Sequence, residues 1–309
     1  MDFSELIIKM TMLIVLMLIG YVGARRGVFG GAFAKGLSSL VMNLFLTCSI
    51  LDSVISGPQD ISGAGLGHVM LVLSLVMILM YVIAIASVRL MHLNDENGPV
   101  TELSMCVVNS MFVGLPVVQE MFGSTAVLYC ALSCIPFNVI LYTYGIWRMK
   151  KGKNIGGGSA VQFRDIVTVP LLATVAALVI FIFGIPMPRL VREFISLAAP
   201  ATVPTSMIVI GATLGSVKLS DAFREKRIYL LCFIKLIVCP LAVWLLFHFL
   251  TADPVLLATG VIVAACPTGI VVTVLALQYD YDAAYSSKGV LATVVLSMIT
   301  LPVFAYFLM

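Results

Sequence analysis

The chain has 309 residues, of which 61% are hydrophobic and only 11% charged, with a formal net charge of +3. A soluble domain of that length needs roughly a quarter of its residues charged to cover its surface, so a water-soluble globule is excluded. The small positive balance likewise gives no reason to expect a nucleic-acid partner.

Apolar runs of about 20 residues are long enough to cross a bilayer as helices, and here they follow one another with short polar breaks. The expected spans are residues 6–23, 33–53, 68–90, 101–123, 125–147, 166–184, 194–216, 227–249, 254–279 and 285–308. The expected fold is therefore all-α, a polytopic membrane protein of ten transmembrane helices. The first segment reads as a span and not as a signal peptide. It starts with acidic Asp2 and Glu5, and no small-residue cleavage site separates Leu18–Val22 from Arg25 and Arg26. In the second span Asn43 lies mid-segment, where an unpaired amide is costly, so it is expected either to bond a neighbouring helix or to touch a substrate. Turn-forming residues separate most spans, as at Gly57-Pro58-Gln59-Asp60 and Asn94–Pro99. The tightest join is Phe122-Gly123-Ser124.

The longest connection follows the fifth span and runs from Arg148 through Lys150, Lys151 and Lys153 to Gly156-Gly157-Gly158. Its glycines are no phosphate cradle, because no Gly-Lys-Ser/Thr follows them. With the N-terminus outside, fourteen of the 18 Lys and Arg residues fall on the inner side and only Lys9, Arg189 and Arg192 on the outer. That bias predicts both termini outside a cytoplasmic membrane and this loop in the cytoplasm.

The loop divides the chain into halves, residues 1–153 and 154–309, of five expected spans each. An odd count makes the second half run through the membrane in the opposite sense, the inverted-repeat plan of many secondary transporters. The fourth span reads Asn109-Ser110-Met111-Phe112-Val113-Gly114-Leu115-Pro116 and the ninth Ala264-Ala265-Cys266-Pro267-Thr268-Gly269. Each sets a proline within two residues of a glycine in mid-run. Proline removes a helical N–H and clashes with the preceding turn, while glycine lets the backbone leave helical geometry. Two discontinuous helices crossing at the midplane are expected. The half-helices after Pro116 and Pro267 would then point positive dipole ends at a central cavity, an arrangement suited to a carboxylate.

Polar residues near that crossing are candidate ligands. Asn109 and Thr268 could bond a substrate or tie down broken backbone. Helix seven, with Pro200, Thr202, Pro204, Thr205 and Ser206, could line a cavity or pack closely on a neighbour. Lys235 is the charged residue deep inside a span, and could balance an anion or extend toward the interface. The seven cysteines all sit in apolar stretches and read as buried small hydrophobes. His68, His92 and His248 match no metal motif, and no cofactor is implied.

With these features the whole chain resembles the auxin efflux carrier family of permeases, whose bacterial members include malonate transporters. The resemblance rests on the topology, the basic loop, the Asn109–Phe112–Gly114–Pro116 pattern and Pro267–Thr268–Gly269. It implies a substrate site where the broken fourth and ninth helices cross, pointing to Asn109, Gly114, Pro116 and Pro267, with Gly269 beside them. Cys266 stands where plant hormone carriers have a polar amide, which argues against auxin itself.

The function expected is alternating-access transport of a small organic anion, such as a mono- or dicarboxylate. Sodium-coupled symport like that of bile-acid transporters is the alternative, and the coupling ion, H+ or Na+, and a homodimer stay open. An intramembrane enzyme is disfavoured: there is no HExxH, no paired mid-membrane aspartates and no Ser–His arrangement at one depth.

Overall fold

The computed structural model describes residues 3–29, 31–55, 63–90, 97–153, 169–215 and 225–308, nearly all of them helical. Outside the described residues lie the turn at Gly57–Asp60, Asn94–Glu96, the glycines of the basic loop, Arg164, Lys218 and Arg224.

Among the described residues, six helices are long and apolar enough to cross a membrane, not ten. They are Phe33–Ile55, Gly65–Leu90, Ser110–Gly152, Arg189–Gly215, Lys226–Phe247 and Ala283–Phe307. The expected spans 6–23, 166–184 and 254–279 instead contribute the shorter apolar helices Thr11–Arg25, Val169–Phe183 and Pro254–Ala265. Spans 101–123 and 125–147 run on from Ser110 as one 43-residue stretch, kinked at the expected join around Gly123. The five-plus-five arithmetic falls with that count. Hydropathy measures how far an apolar run extends, and it is blind to backbone that stops being helical inside the run. The ninth expected span shows this directly, since its helix ends at Ala265 and another begins only at Val271. Within the 43-residue stretch, Gly123 departs from helical geometry at φ 76° and ψ −162°, a conformation glycine tolerates far better than other residues.

Exposed large apolar side chains such as Leu71, Ile78, Val82, Leu245, Leu246 and Val303 mark helix faces turned outward. On a protein this hydrophobic, those faces suit lipid contact. Inside, the helix from Phe3 to Arg25 packs along Thr202–Gly215. The two backbones meet because a Cβ on Gly20 would strike the Ile208 carbonyl, and one on Gly211 the Met17 carbonyl. Small residues allowing helices to approach this closely are typical of membrane packing.

Among the described residues, four widened turns interrupt the helices, at Val41–Phe45, Ser110–Gly114, Leu141–Gly145 and Ile234–Val238. Two of these stand directly before a proline at the second position of the next helical segment, Pro116 and Pro240. In each, an N–H bonds the carbonyl five residues back, Leu115 to Ser110 and Cys239 to Ile234. A proline crowds the carbonyl four residues before it, and a wider turn relieves that crowding.

Candidate functional site

The first interruption begins where the helix Gly98–Cys106 ends. Val107 turns extended at φ −79° and ψ 124°, and Asn109 sits at φ −96° and ψ 58°. The chain then re-enters helix through the widened turn Ser110–Gly114, with Pro116 inside the first turn of the following segment. The second interruption begins at Cys266, extended at φ −61° and ψ 146°, and ends before Val271.

The two interruptions lie against each other. Val108 and Thr268 form an antiparallel bridge. The Asn109 N–H donates to the Pro267 carbonyl at 2.8 Å, and the Gly269 N–H donates to the Val107 carbonyl at 3.3 Å. Backbone freed from helix thus finds its partners in the other broken segment, as it must where water is scarce. Thr268 fastens the junction further. Its N–H donates to Thr293 Oγ1 at 3.1 Å, and its hydroxyl donates to the Ser104 carbonyl at 2.6 Å. Thr268 is fully buried, and of the two roles open to it the observed bonds are the structural ones.

Gly114 is the point of closest approach outside the bridge. A Cβ there would come within 2.7 Å of Cys266 Sγ, so a side chain would force the segments apart. Gly269 is nearly as confined, since a Cβ would lie 3.2 Å from the Val108 carbonyl oxygen. Gly114, Pro116, Pro267, Thr268 and Gly269 are all buried, and Asn109 is partly exposed.

Lys235 belongs to this neighbourhood. Its widened turn packs against Gly98–Cys106, Pro254–Ala265 and Ala283–Phe307. The side chain is 0% exposed, which excludes extension to the interface, and Nζ has no hydrogen-bond partner among the described residues. The titratable groups that act on it are the thiols of Cys239, Cys106 and Cys266, the last directly preceding Pro267. Ser104 Oγ, on the helix leading into the first interruption, is also buried without a partner.

Asn43 is not brought to this place. It is exposed, its amide donates to Ser39 Oγ one turn away at 3.0 Å, and its segment packs mainly on its own helix and on Val169–Phe183 and Thr202–Gly215. The bond it makes to Ser39 lies within its own helix.

One buried carboxylate escaped the sequence reading. Glu102, 2% exposed, accepts from Tyr144 OH at 2.5 Å and from Arg148 Nε at 2.8 Å. Its signal was the proximity of an acid at the start of one apolar run to a base at the end of the next, a pairing visible only once the chain doubles back.

Comparison with known sequences covers almost the whole chain. A description of the family named "membrane transport protein" matches residues 5–156 and 158–305. A protein named "Uncharacterized transporter" from Methanothermobacter thermautotrophicus is 24% identical over 295 residues, covering 94% of this chain and 95% of its own. Transporter YfdV of Escherichia coli K12 is 22% identical over 305 residues, covering 95% of each chain. The Shigella flexneri protein of the same name matches equally well.

Proposed function

The chain belongs to the membrane transport protein family, and we propose that it is a secondary permease carrying small organic anions across the cytoplasmic membrane by alternating access. The observation that carries the anion reading is Lys235, a fully buried amine with no partner, packed against the helices that break and cross. Intramembrane ionisable groups are costly and mark substrate or ion pathways. A carboxylate seated at the crossing supplies the missing counter-charge. The helical segments that restart at Ser110 and Val271 would add the positive ends of their dipoles.

In this reading the residues divide by role. Lys235 supplies charge, and Asn109, partly exposed, supplies an amide to the substrate. Gly114, Pro116, Pro267 and Gly269 shape the broken backbone. Thr268 holds the two segments in register. The halves, residues 1–153 and 154–309, each contribute one broken segment, and their relative movement would open the site to either side in turn. Both termini are placed outside and the Arg148–Lys153 end inside, following the basic residues.

The test is uptake of radiolabelled malonate, malate, lactate and benzoate into proteoliposomes holding the full chain. Saturable uptake of at least one, competed by the unlabelled anion, supports the proposal. No uptake and no exchange of any of the four above empty vesicles refutes it. Repeating the assay with and without a sodium gradient separates this reading from sodium-driven symport.

A further inference from the structure

We infer that Lys235 carries a proton together with the anion, so that each transport cycle moves one proton with each anion bound at the crossing. The inference rests on the anion-permease reading above, and concerns how that permease is driven.

The starting point is charge balance. Among the described residues, the elements packed against the turn of Lys235 offer it no fixed negative partner. On Gly98–Cys106 the ionisable side chains are Glu102 and Cys106. The Glu102 carboxylate is already held by Tyr144 and Arg148. The helix Pro254–Ala265 contains no titratable side chain at all. Asp253 before it caps that helix and accepts from Tyr129 OH at 2.9 Å, and Cys266 after it is a thiol. On Ala283–Phe307 the candidates are Tyr285, Lys288 and Tyr306, with Lys288 paired to Glu225 at 2.7 Å. On its own helix stand Lys226, Arg227, Tyr229, Cys232 and Cys239, two of them cations and none a carboxylate.

An ammonium removed from water is tolerated only with a counter-charge and hydrogen bonds, and among the described residues Lys235 Nζ has no hydrogen-bond partner. The cation and the anion therefore require each other. A neutral amine, a proton and a carboxylate combine into one ion pair on one side of the membrane. On the other side the carboxylate leaves, and the proton leaves Nζ with it. The one bond made and then broken is an N–H bond of Nζ, and a monoanion crosses with no net charge moved. Lysine suits this work because its amine can shed the proton, which a guanidinium cannot.

The experiment uses proteoliposomes of the full chain with the same four carboxylates, the membrane potential clamped at zero and no sodium gradient. A vesicle interior one pH unit more alkaline than the outside should support about tenfold accumulation of the transported anion, since one proton per anion converts each pH unit into a factor of ten. A trapped pH dye should report acidification in step with uptake. Lys235→Arg should keep anion-for-anion exchange but lose the pH-driven accumulation. Lys235→Gln should lose both.

Wild-type accumulation indifferent to the pH gradient overturns the inference while leaving the permease intact, and that arm depends on no variant folding. Accumulation by Lys235→Arg equal to wild type overturns it as well, as does accumulation that follows sodium alone. Absence of any flux refutes the permease reading, and this inference with it.

Discussion

Replacing Gly114 by alanine adds one methyl group at the tightest point of the crossing. The new Cβ would sit 2.7 Å from Cys266 Sγ, about an ångström inside ordinary contact, with Ser110 Cβ 3.6 Å away on another side. Cys266 is fully buried and cannot swing into open space. The two segments must then separate, straining the Asn109-to-Pro267 and Gly269-to-Val107 bonds. Overpacking of this kind costs ~1–3 kcal/mol. If that strain falls on the transport-competent geometry, uptake drops by about 5- to 150-fold, at roughly tenfold per 1.4 kcal/mol. The assay is a double-mutant cycle on uptake and on thermal unfolding in detergent, using Gly114→Ala, Cys266→Ala and the pair. Cys266→Ala removes the sulfur that the new methyl meets, so the double variant should recover most of the loss. A neutral Gly114→Ala, or a double variant no better than the single one, would show that this approach does not set the crossing.

Other substitutions separate the junction from its surroundings. Thr268→Val keeps the shape but leaves the Ser104 carbonyl without its hydroxyl partner, and should lower stability by ~1–2 kcal/mol in thermal unfolding. Glu102→Gln should cost ~1–3 kcal/mol by the same measurement, because it weakens a buried pair; the 18% exposure of Arg148 softens the loss. Asn43→Ala, which removes an exposed bond within one helix, should leave uptake within about twofold of wild type, whereas Asn109→Ala should reduce it at least tenfold. Glu193→Gln breaks a surface pair whose members are 91% and 61% exposed, and should change stability by no more than ~0.5 kcal/mol.

What could be read from the sequence was local backbone chemistry. A proline beside a glycine in an apolar run marks a helix that gives way: the ninth run breaks there, at Cys266–Gly269, whereas the fourth breaks at Val107–Asn109, ahead of Gly114 and Pro116, which are helical. The depth of Lys235 in its run was equally legible, since seven uncharged residues, Ile228 to Ile234, separate it from the nearest base, Arg227. The number of spanning helices was not. The turn residues at Phe122–Ser124 and Cys266–Ile270 mark where helix gives way, but not whether the break ends a span or only interrupts it. Contacts between distant segments were beyond reach as well. Neither the Glu102–Arg148 pair nor the approach of Cys266 to Gly114 leaves a trace until the chain is folded. An amide in mid-run can bond on the preceding turn, as Asn43 does through Ser39, a local partner that the apolar pattern does not reveal.

The account stands on an anion occupying the crossing beside Lys235. Its most direct test is a crystal structure of the chain soaked with a bromine-substituted analogue of whichever carboxylate the vesicles accumulate. The account predicts an anomalous bromine peak beside Asn109 and Pro267, with the carboxylate within hydrogen-bond distance of Lys235 Nζ. A bromine peak confined to another part of the molecule, with Nζ still unpaired, would contradict it.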